Sequence, residues 1–301
     1  IGPGPQTLVQ FQAIPRVRRD EVVLPDGLLE QMERHTINFS EHADELLKAG
    51  RSLKRGLLLF GLPGTGKTLT VMYLISRMPE RTTLLTTGSG MGLIQTVAAM
   101  ARQLAPSMVV LEDVDLVAQE RTMPGFGARP VLFELLNEMD GLRDDQDVIF
   151  VLTTNRPDIL EPALAARPGR IDLAVELPLP DAEGRRRLLE LYARGVMLDG
   201  VDVGALAERT EGATPAYIKE LLRKATLHSL DGGSGTVLRQ ADVDAALEDL
   251  AQGGRLAERI LGFRPEPAGA PSQQMPFPPP PPAMPGIATG FPVSQVFKRG
   301  T

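Results

Sequence analysis

The run Gly61-Leu62-Pro63-Gly64-Thr65-Gly66-Lys67-Thr68 constrains the fold more than any other stretch of this sequence. It fits the pattern GxxxxGK[ST]. The continuous apolar run Gly56-Leu57-Leu58-Leu59-Phe60 precedes it, and a segment of helical character, Leu69 to Met78, follows. Strand, glycine-rich turn and helix, in that order, are the context the pattern needs. The glycines let backbone N–H groups turn inward around a β-phosphate. The Lys67 ammonium reaches the β- and γ-phosphates, and the helix N-terminus adds its dipole. The Thr68 hydroxyl is placed to ligate Mg²⁺. Gly61, Pro63, Gly64, Thr65, Gly66, Lys67 and Thr68 are therefore the expected phosphate-binding residues, with Leu69 next in the chain. The strand and helix on either side argue against a glycine-rich turn that merely fits the pattern.

Four more short apolar runs follow, at 83–85, 108–111, 148–152 and 173–175, separated by helical stretches such as 93–104 and 131–139. Such alternation predicts an α/β fold, a parallel sheet with helices on both faces. Before it, residues 1–20 read as a linker, and 28–47 as one or two helices. The α/β part is expected over 21–180. After Pro180 the strands stop, and 181–263 reads as a small all-helical lid, with Asp181 and Asp202 as N-caps. From residue 264 the chain turns proline-rich, with five consecutive prolines at 278–282, and is expected to be an extended, disordered tail.

Composition removes several chemistries. The chain has no cysteine, so disulfides, thiolate zinc sites and thiol nucleophiles are excluded. Only three histidines occur, His35, His42 and His228, with no metal-binding spacing. A formal charge of −6 gives no support to a nucleic-acid partner. No apolar run is long enough to span a bilayer, and a cytoplasmic location is the default expectation.

Met108-Val109-Val110-Leu111-Glu112-Asp113-Val114-Asp115 is an apolar strand ending in carboxylates. A phosphate-loop enzyme needs one carboxylate near Mg²⁺ and one that orients or deprotonates water. Both are expected at the carboxyl end of a strand beside the phosphate-loop strand. The alternative is that the acids merely cap the next helix.

From about Val22 to Leu250 the sequence resembles the AAA ATPases, in the clade of unfoldases and disassembly machines. The strongest stretch is Phe133 through Leu142, with its Met139-Asp140-Gly141-Leu142, followed by Thr153 through Asp172. By that resemblance, Thr153-Thr154-Asn155-Arg156-Pro157-Asp158 is the sensor-1 strand end, where Asn155 holds the attacking water. Ala166-Arg167-Pro168-Gly169-Arg170 matches the segment that carries arginine fingers, so Arg167 and Arg170 would reach the γ-phosphate of a neighbouring subunit. Solvated loop charges are the other reading of these arginines. The resemblance implies ATP and Mg²⁺ as ligands, a homo-hexameric ring and a protein substrate.

Three positions depart from the family. Its second motif usually ends Asp-Glu, and this chain has Glu112-Asp113, which puts Glu112 on the magnesium side and the shorter Asp113 on the water side. Where relatives place an aromatic pore residue, this chain has Thr86-Thr87-Gly88, with Met91 nearby. An aromatic grips an extended peptide and threonine does not. Phe126 has two readings, a pore residue or an anchor for its own loop. Near the adenine, Thr214-Pro215-Ala216-Tyr217 replaces the usual Ser-Gly-Ala-Asp. Proline there suits a first helical turn, so Pro215 and Ala216 are the expected base-side residues, while Arg223 is a surface charge. The implied function is ATP hydrolysis that drives remodelling or disassembly of a protein or complex. The alternative is a nucleotide-gated assembly module with slow or no hydrolysis, or an adaptor whose proline tail recruits partners.

Overall fold

Each apolar run becomes a strand of one parallel sheet: β1 (Arg55–Phe60), β2 (Thr82–Thr87), β3 (Ser107–Glu112), β4 (Val148–Thr154) and β5 (Leu173–Glu176). The structure, a computed structural model, describes residues 11–13, 16–87, 93–115, 131–158 and 170–252. All of these belong to a unit spanning Ile1–Pro265. The expected proline-rich tail, Phe126, Gly88, Met91 and Arg167 lie outside the described residues.

The strand order is β2-β3-β4-β1-β5, parallel throughout. One expectation is corrected here. The strand carrying Glu112 does not adjoin the phosphate-loop strand, because β4 lies between them. Strand order is set by which helical crossovers pack, and a motif's local sequence does not encode it. Every residue of β4 is buried, as its central place requires.

The sheet's two faces feed two apolar cores. Leu57, Leu59, Val110 and Val151 face helices α1 (Leu28–Glu33) and α3 (Lys67–Arg77), whose Met32, Val71 and Leu74 are buried against them. Between these helices in sequence come a π-turn over Arg34–Asn38 and α2 (Ala43–Lys48). Leu58, Val109 and Leu152 face the opposite way, onto α4 (Ile94–Gln103) and α5 (Val131–Asp140). This alternation is the period-two side-chain geometry of a strand.

The last part is built from α6 (Ala182–Tyr192), α7 (Val203–Arg209), α8 (Pro215–Asp231) and α9 (Gln240–Gln252) around a third core. Both predicted N-caps form: Asp181 accepts from the Gly184 N–H at 2.7 Å and Asp202 from the Ala205 N–H at 3.0 Å. The part is not wholly helical. Two three-residue strands, β6 (Met197–Asp199) and β7 (Val237–Arg239), pair in parallel. Strands of that length carry too little periodicity to be read from sequence.

Residues 16–20, read as linker, are docked. The Ser76 hydroxyl donates to the Val17 carbonyl, and Arg19 pairs with Glu30 and Glu33. Asp20 reaches Arg194 just beyond α6 at 2.8 Å. The next residues divide between bodies: Val22 is buried in the core under the sheet, and Val23 in the core of the helical part.

Candidate nucleotide-binding site

The carboxyl ends of β1, β3 and β4 meet the amino end of α3, the usual place for a ligand in an open parallel sheet. Between β1 and α3 the chain turns through Gly61, Gly64 and Gly66, at φ +146°, +82° and +100°. The last two lie in the left-handed region that glycine enters without a Cβ penalty. Two of the glycines are also required by close approach. A Cβ on Gly61 would stand 2.5 Å from the Leu177 carbonyl oxygen. One on Gly64 would stand 3.0 Å from both the Thr214 hydroxyl and the Ala216 methyl.

That second contact shows how the helical part reaches the loop. Thr214 caps α8, accepting from the Tyr217 N–H at 3.2 Å, and Pro215 takes the first helical turn. The Ala216 N–H then donates to the Gly64 carbonyl at 3.2 Å. Pro215 and Ala216, predicted from sequence, thus stand against the loop. Thr65, Gly66, Leu69 and Pro215 share one small recess with Leu188 and Tyr192. Next to it opens a cleft of about 290 Å³, walled by Leu24, Pro25 and Asp26 on one side and by Thr65, Asp181 and Pro215 on the others. Its volume is close to the lower end of ligand pockets, roughly 300 Å³. Leu24, Pro25 and Asp26 had no sequence signal, since they belong to no motif and arrive through the docking of the amino-terminal segment.

Lys67 is 6% exposed, and its ammonium donates to the Gly61 and Leu62 carbonyls, both at 2.9 Å. Burial lowers its pKa, while the charges of Asp113 and Asp115 oppose that shift. A buried ammonium bonded only to neutral carbonyls is a strong attractor for an anion. Thr68 is exposed in the first turn of α3. Glu112 ends β3 with Oε1 buried and lacking any hydrogen-bond partner among the described residues. Buried carboxylate oxygens are rarely left so. With the Thr68 hydroxyl, this hard oxygen suits Mg²⁺, which takes few protein ligands and keeps waters and phosphate oxygens for the rest.

Asp113 is the one non-glycine residue at positive φ among the described residues, at +50°. Aspartate tolerates this conformation better than most residues. Its N–H donates to the Thr153 hydroxyl at 3.0 Å, and its Oδ1 accepts from Asn155 Nδ2 at 3.1 Å. Asp113 and Asn155, 42 residues apart in sequence, are thereby joined side chain to side chain. Thr153, Thr154 and Asp115 complete this junction, and the sequence alone gives none of the three an individual role. The acidic run at 112–115 contained the signal for Asp115, and only the adjacency of β3 and β4 gives it meaning.

Arg170 is placed differently. It is 9% exposed and forms an ion pair with Asp140, at the end of α5 in its own chain. Its backbone is fixed as well. A Cβ on Gly56 would collide with the Arg170 carbonyl, and Asp172 both donates to and accepts from Gly56. Arg170 is thus no solvated loop charge, and it is paired within its own chain rather than projecting outward. Arg223 pairs with Glu220 on the exposed face of α8, as expected of a surface charge.

The profile of the ATPase family associated with various cellular activities (AAA) matches residues 57–179. That span runs from within β1 to just past β5 and takes in part or all of every strand of the sheet. The chain is 34% identical over 242 residues to the proteasome-activating nucleotidase of Pyrococcus horikoshii, an alignment covering 74% of this chain and 59% of the relative. It is 36% identical over 220 residues to the protein of the same name from Methanothermobacter thermautotrophicus, covering 68% and 53%. With ATP-dependent zinc metalloprotease FtsH 3 of Symbiobacterium thermophilum it shares 32% over 253 residues, covering 79% and 40%. The chain therefore spans between two fifths and three fifths of the length of these relatives. Given a phosphate loop on β1, carboxylates on β3, an asparagine on β4 and this likeness in sequence, the chain belongs to the AAA family of ATPases.

Proposed function

We propose that this chain binds ATP with Mg²⁺ in the cleft beside the phosphate loop and hydrolyses it as one subunit of a homo-hexameric ring that remodels or disassembles a protein or complex. The observation that carries the reading is the meeting of Lys67, Asp113 and Asn155 at one end of the sheet, next to a cleft of about 290 Å³ with mixed polar and apolar walls. Lys67 exchanges its two carbonyl partners for phosphate oxygens. Thr68 and Glu112 are the residues that would hold Mg²⁺, whose charge offsets that on the β- and γ-phosphates. Asp113 orients or deprotonates the attacking water, and Asn155 fixes its aim.

The arginines give the reason for a ring. Arg167 is proposed to act on a neighbour's γ-phosphate, a role with no target in a single subunit. Arg170 can act the same way only by leaving Asp140, so it is proposed to change partners on assembly. The names of the relatives, a nucleotidase that activates a proteasome and an ATP-dependent metalloprotease, favour a protein as the client. Among the described residues no helix is long and apolar enough to cross a membrane, in keeping with a proposed cytoplasmic location.

The test is steady-state ATP hydrolysis as a function of protein concentration, for wild type, Lys67→Ala, Asp113→Asn and Arg167→Ala. Turnover per subunit that rises with concentration and is lost in all three variants supports the reading. ATP binding without turnover in the wild type would overturn it, leaving a nucleotide-gated scaffold.

A further inference from the structure

Asp115 lies two residues beyond Asp113 and is 4% exposed. Its Oδ1 accepts two hydrogen bonds, from the Thr154 hydroxyl at 2.8 Å and from the Asn155 N–H at 3.1 Å. The Thr154 hydroxyl in turn accepts from the Arg156 N–H at 2.9 Å. The chain leaving β4 is therefore wrapped around a single carboxylate oxygen, which fixes Thr154, Asn155 and Arg156 together. An acid that served only to cap its own helix would accept from N–H groups a few residues onward. These bonds run instead to the neighbouring strand, 39 and 40 residues away in sequence.

Asn155 is the link to the chemistry. Its backbone is held by Asp115 and its side chain donates to Asp113, whose own N–H is held by Thr153. Asp113 is short, so its carboxylate has little freedom to correct its own aim. A misplacement of about 1 Å in such a group costs on the order of 10²-fold in rate. We propose that Asp115 is a positioning residue for hydrolysis: it fixes the Asn155 backbone at the end of β4, and through the Asn155 side chain it sets the direction of the Asp113 carboxylate. The inference rests on the reading that ATP is hydrolysed at this site.

Asp115 also carries charge within range of Lys67, so its variants must separate geometry from charge. Asp115→Asn keeps an acceptor oxygen of the same shape and removes the charge. Asp115→Ala removes both. The positioning role requires that Asp115→Ala lowers kcat by about 10-fold or more while KM for ATP stays within about 3-fold. Asp115→Asn restores most of that loss. In an Asn155→Ala background, Asp115→Ala then adds less than about 2-fold, because its effect passes through a side chain already removed. An additive loss in the double variant, or a rise in KM with kcat unchanged, would overturn the inference.

A second measurement does not depend on turnover. Amide hydrogen exchange at Asn155 and Arg156 should quicken by about 10-fold or more in Asp115→Ala and not in Asp115→Asn. Unchanged exchange would overturn the positioning role even where turnover falls. A wild type that binds ATP without hydrolysing it would refute the hydrolysis reading alone, and the exchange result would still decide what Asp115 holds in place.

Discussion

One sheet buries a cation at each end and treats the two in opposite ways. At the amino ends of β2, β3 and β4, Arg81 donates to both carboxylate oxygens of Asp147, at 2.9 and 2.8 Å, to the Ser107 carbonyl and to the Ser40 hydroxyl. Only its Nε lacks a partner among the described residues. At the carboxyl end, Lys67 donates to two neutral carbonyls, and Glu112 Oε1 has no hydrogen-bond partner among the described residues. The first end is a closed set of bonds that ties three strands to the chain before α2. The second leaves the Lys67 ammonium without a carboxylate bonded to it, its charge offset only at a distance by Asp113 and Asp115, which costs stability. A ligand with phosphate groups and a cation would answer both Lys67 and Glu112, which is how the proposed function accounts for the asymmetry.

Substitutions at the two ends test the contrast directly. The largest effect is expected from Arg81→Ala, which strands the part-buried Asp147 carboxylate and opens a gap at a buried site, and should cost about 4 kcal/mol in denaturant unfolding. The folded fraction should bind ATP as tightly as wild type. Lys67→Ala should do the reverse. Turnover should fall by about 10²-fold, equivalent to ~3 kcal/mol of lost phosphate stabilisation, while stability is unchanged or higher because a desolvated ammonium is gone. If Lys67→Ala unfolds the protein as Arg81→Ala does, the contrast between the ends fails. Next in size, Glu112→Gln should raise the Mg²⁺ concentration needed for half-maximal activity by about 10-fold, with no loss of melting temperature, since Oε1 has no hydrogen bond to give up among the described residues.

Smaller again is Thr214→Ala, which removes the N-cap of α8 and should cost about 1 kcal/mol. It also loosens the seat of Ala216 on the loop, so ATP affinity should fall slightly with it. The smallest effect is that of pH. Burial lowers the Lys67 pKa below its ordinary value of 10.5, so in alkaline solution the unliganded protein releases this proton before the unfolded chain does. Its stability should rise slightly through that window, because the unfolded state binds the extra proton. ATP affinity should fall over the same window as the ammonium is lost. Calorimetric titrations at a series of alkaline pH values, with Lys67→Ala as the reference, separate the two trends.

How far the sequence foretold these regions follows from how local each one is. The phosphate loop was legible because its chemistry lies within eight consecutive residues, bounded by a strand and a helix. Glu112 and Asp113 are legible as a strand end from the residues alone, and Asn155 as the strand end that the family resemblance implies. Their contact was not, because it depends on β3 adjoining β4, and sequence had placed β3 beside β1. The same limit hid Asp115, Thr153 and Thr154, whose roles are bonds across strands. Arg81 and Asp147 are 66 residues apart and belong to no motif. Arg170 read as a finger from its local pattern, yet its burial is decided by Gly56 and Asp140, both distant in sequence. Leu24, Pro25 and Asp26 were missed for a related reason, being ordinary residues carried to the cleft by the docking of the segment before them.

That segment has a mechanical consequence. Val22 is seated in one core and Val23, the very next residue, in another, while Leu24 to Asp26 line the cleft between them. A tether stitched to both leaves of a hinge cannot stay slack when the hinge turns. A tilt of the helical part against the sheet would load this two-residue step, and the bonds that hold Val17 and Arg19 to the sheet body would bear that load. Three consecutive residues thus serve two cores and one cleft wall, so the cleft cannot be reshaped without disturbing the packing of this segment.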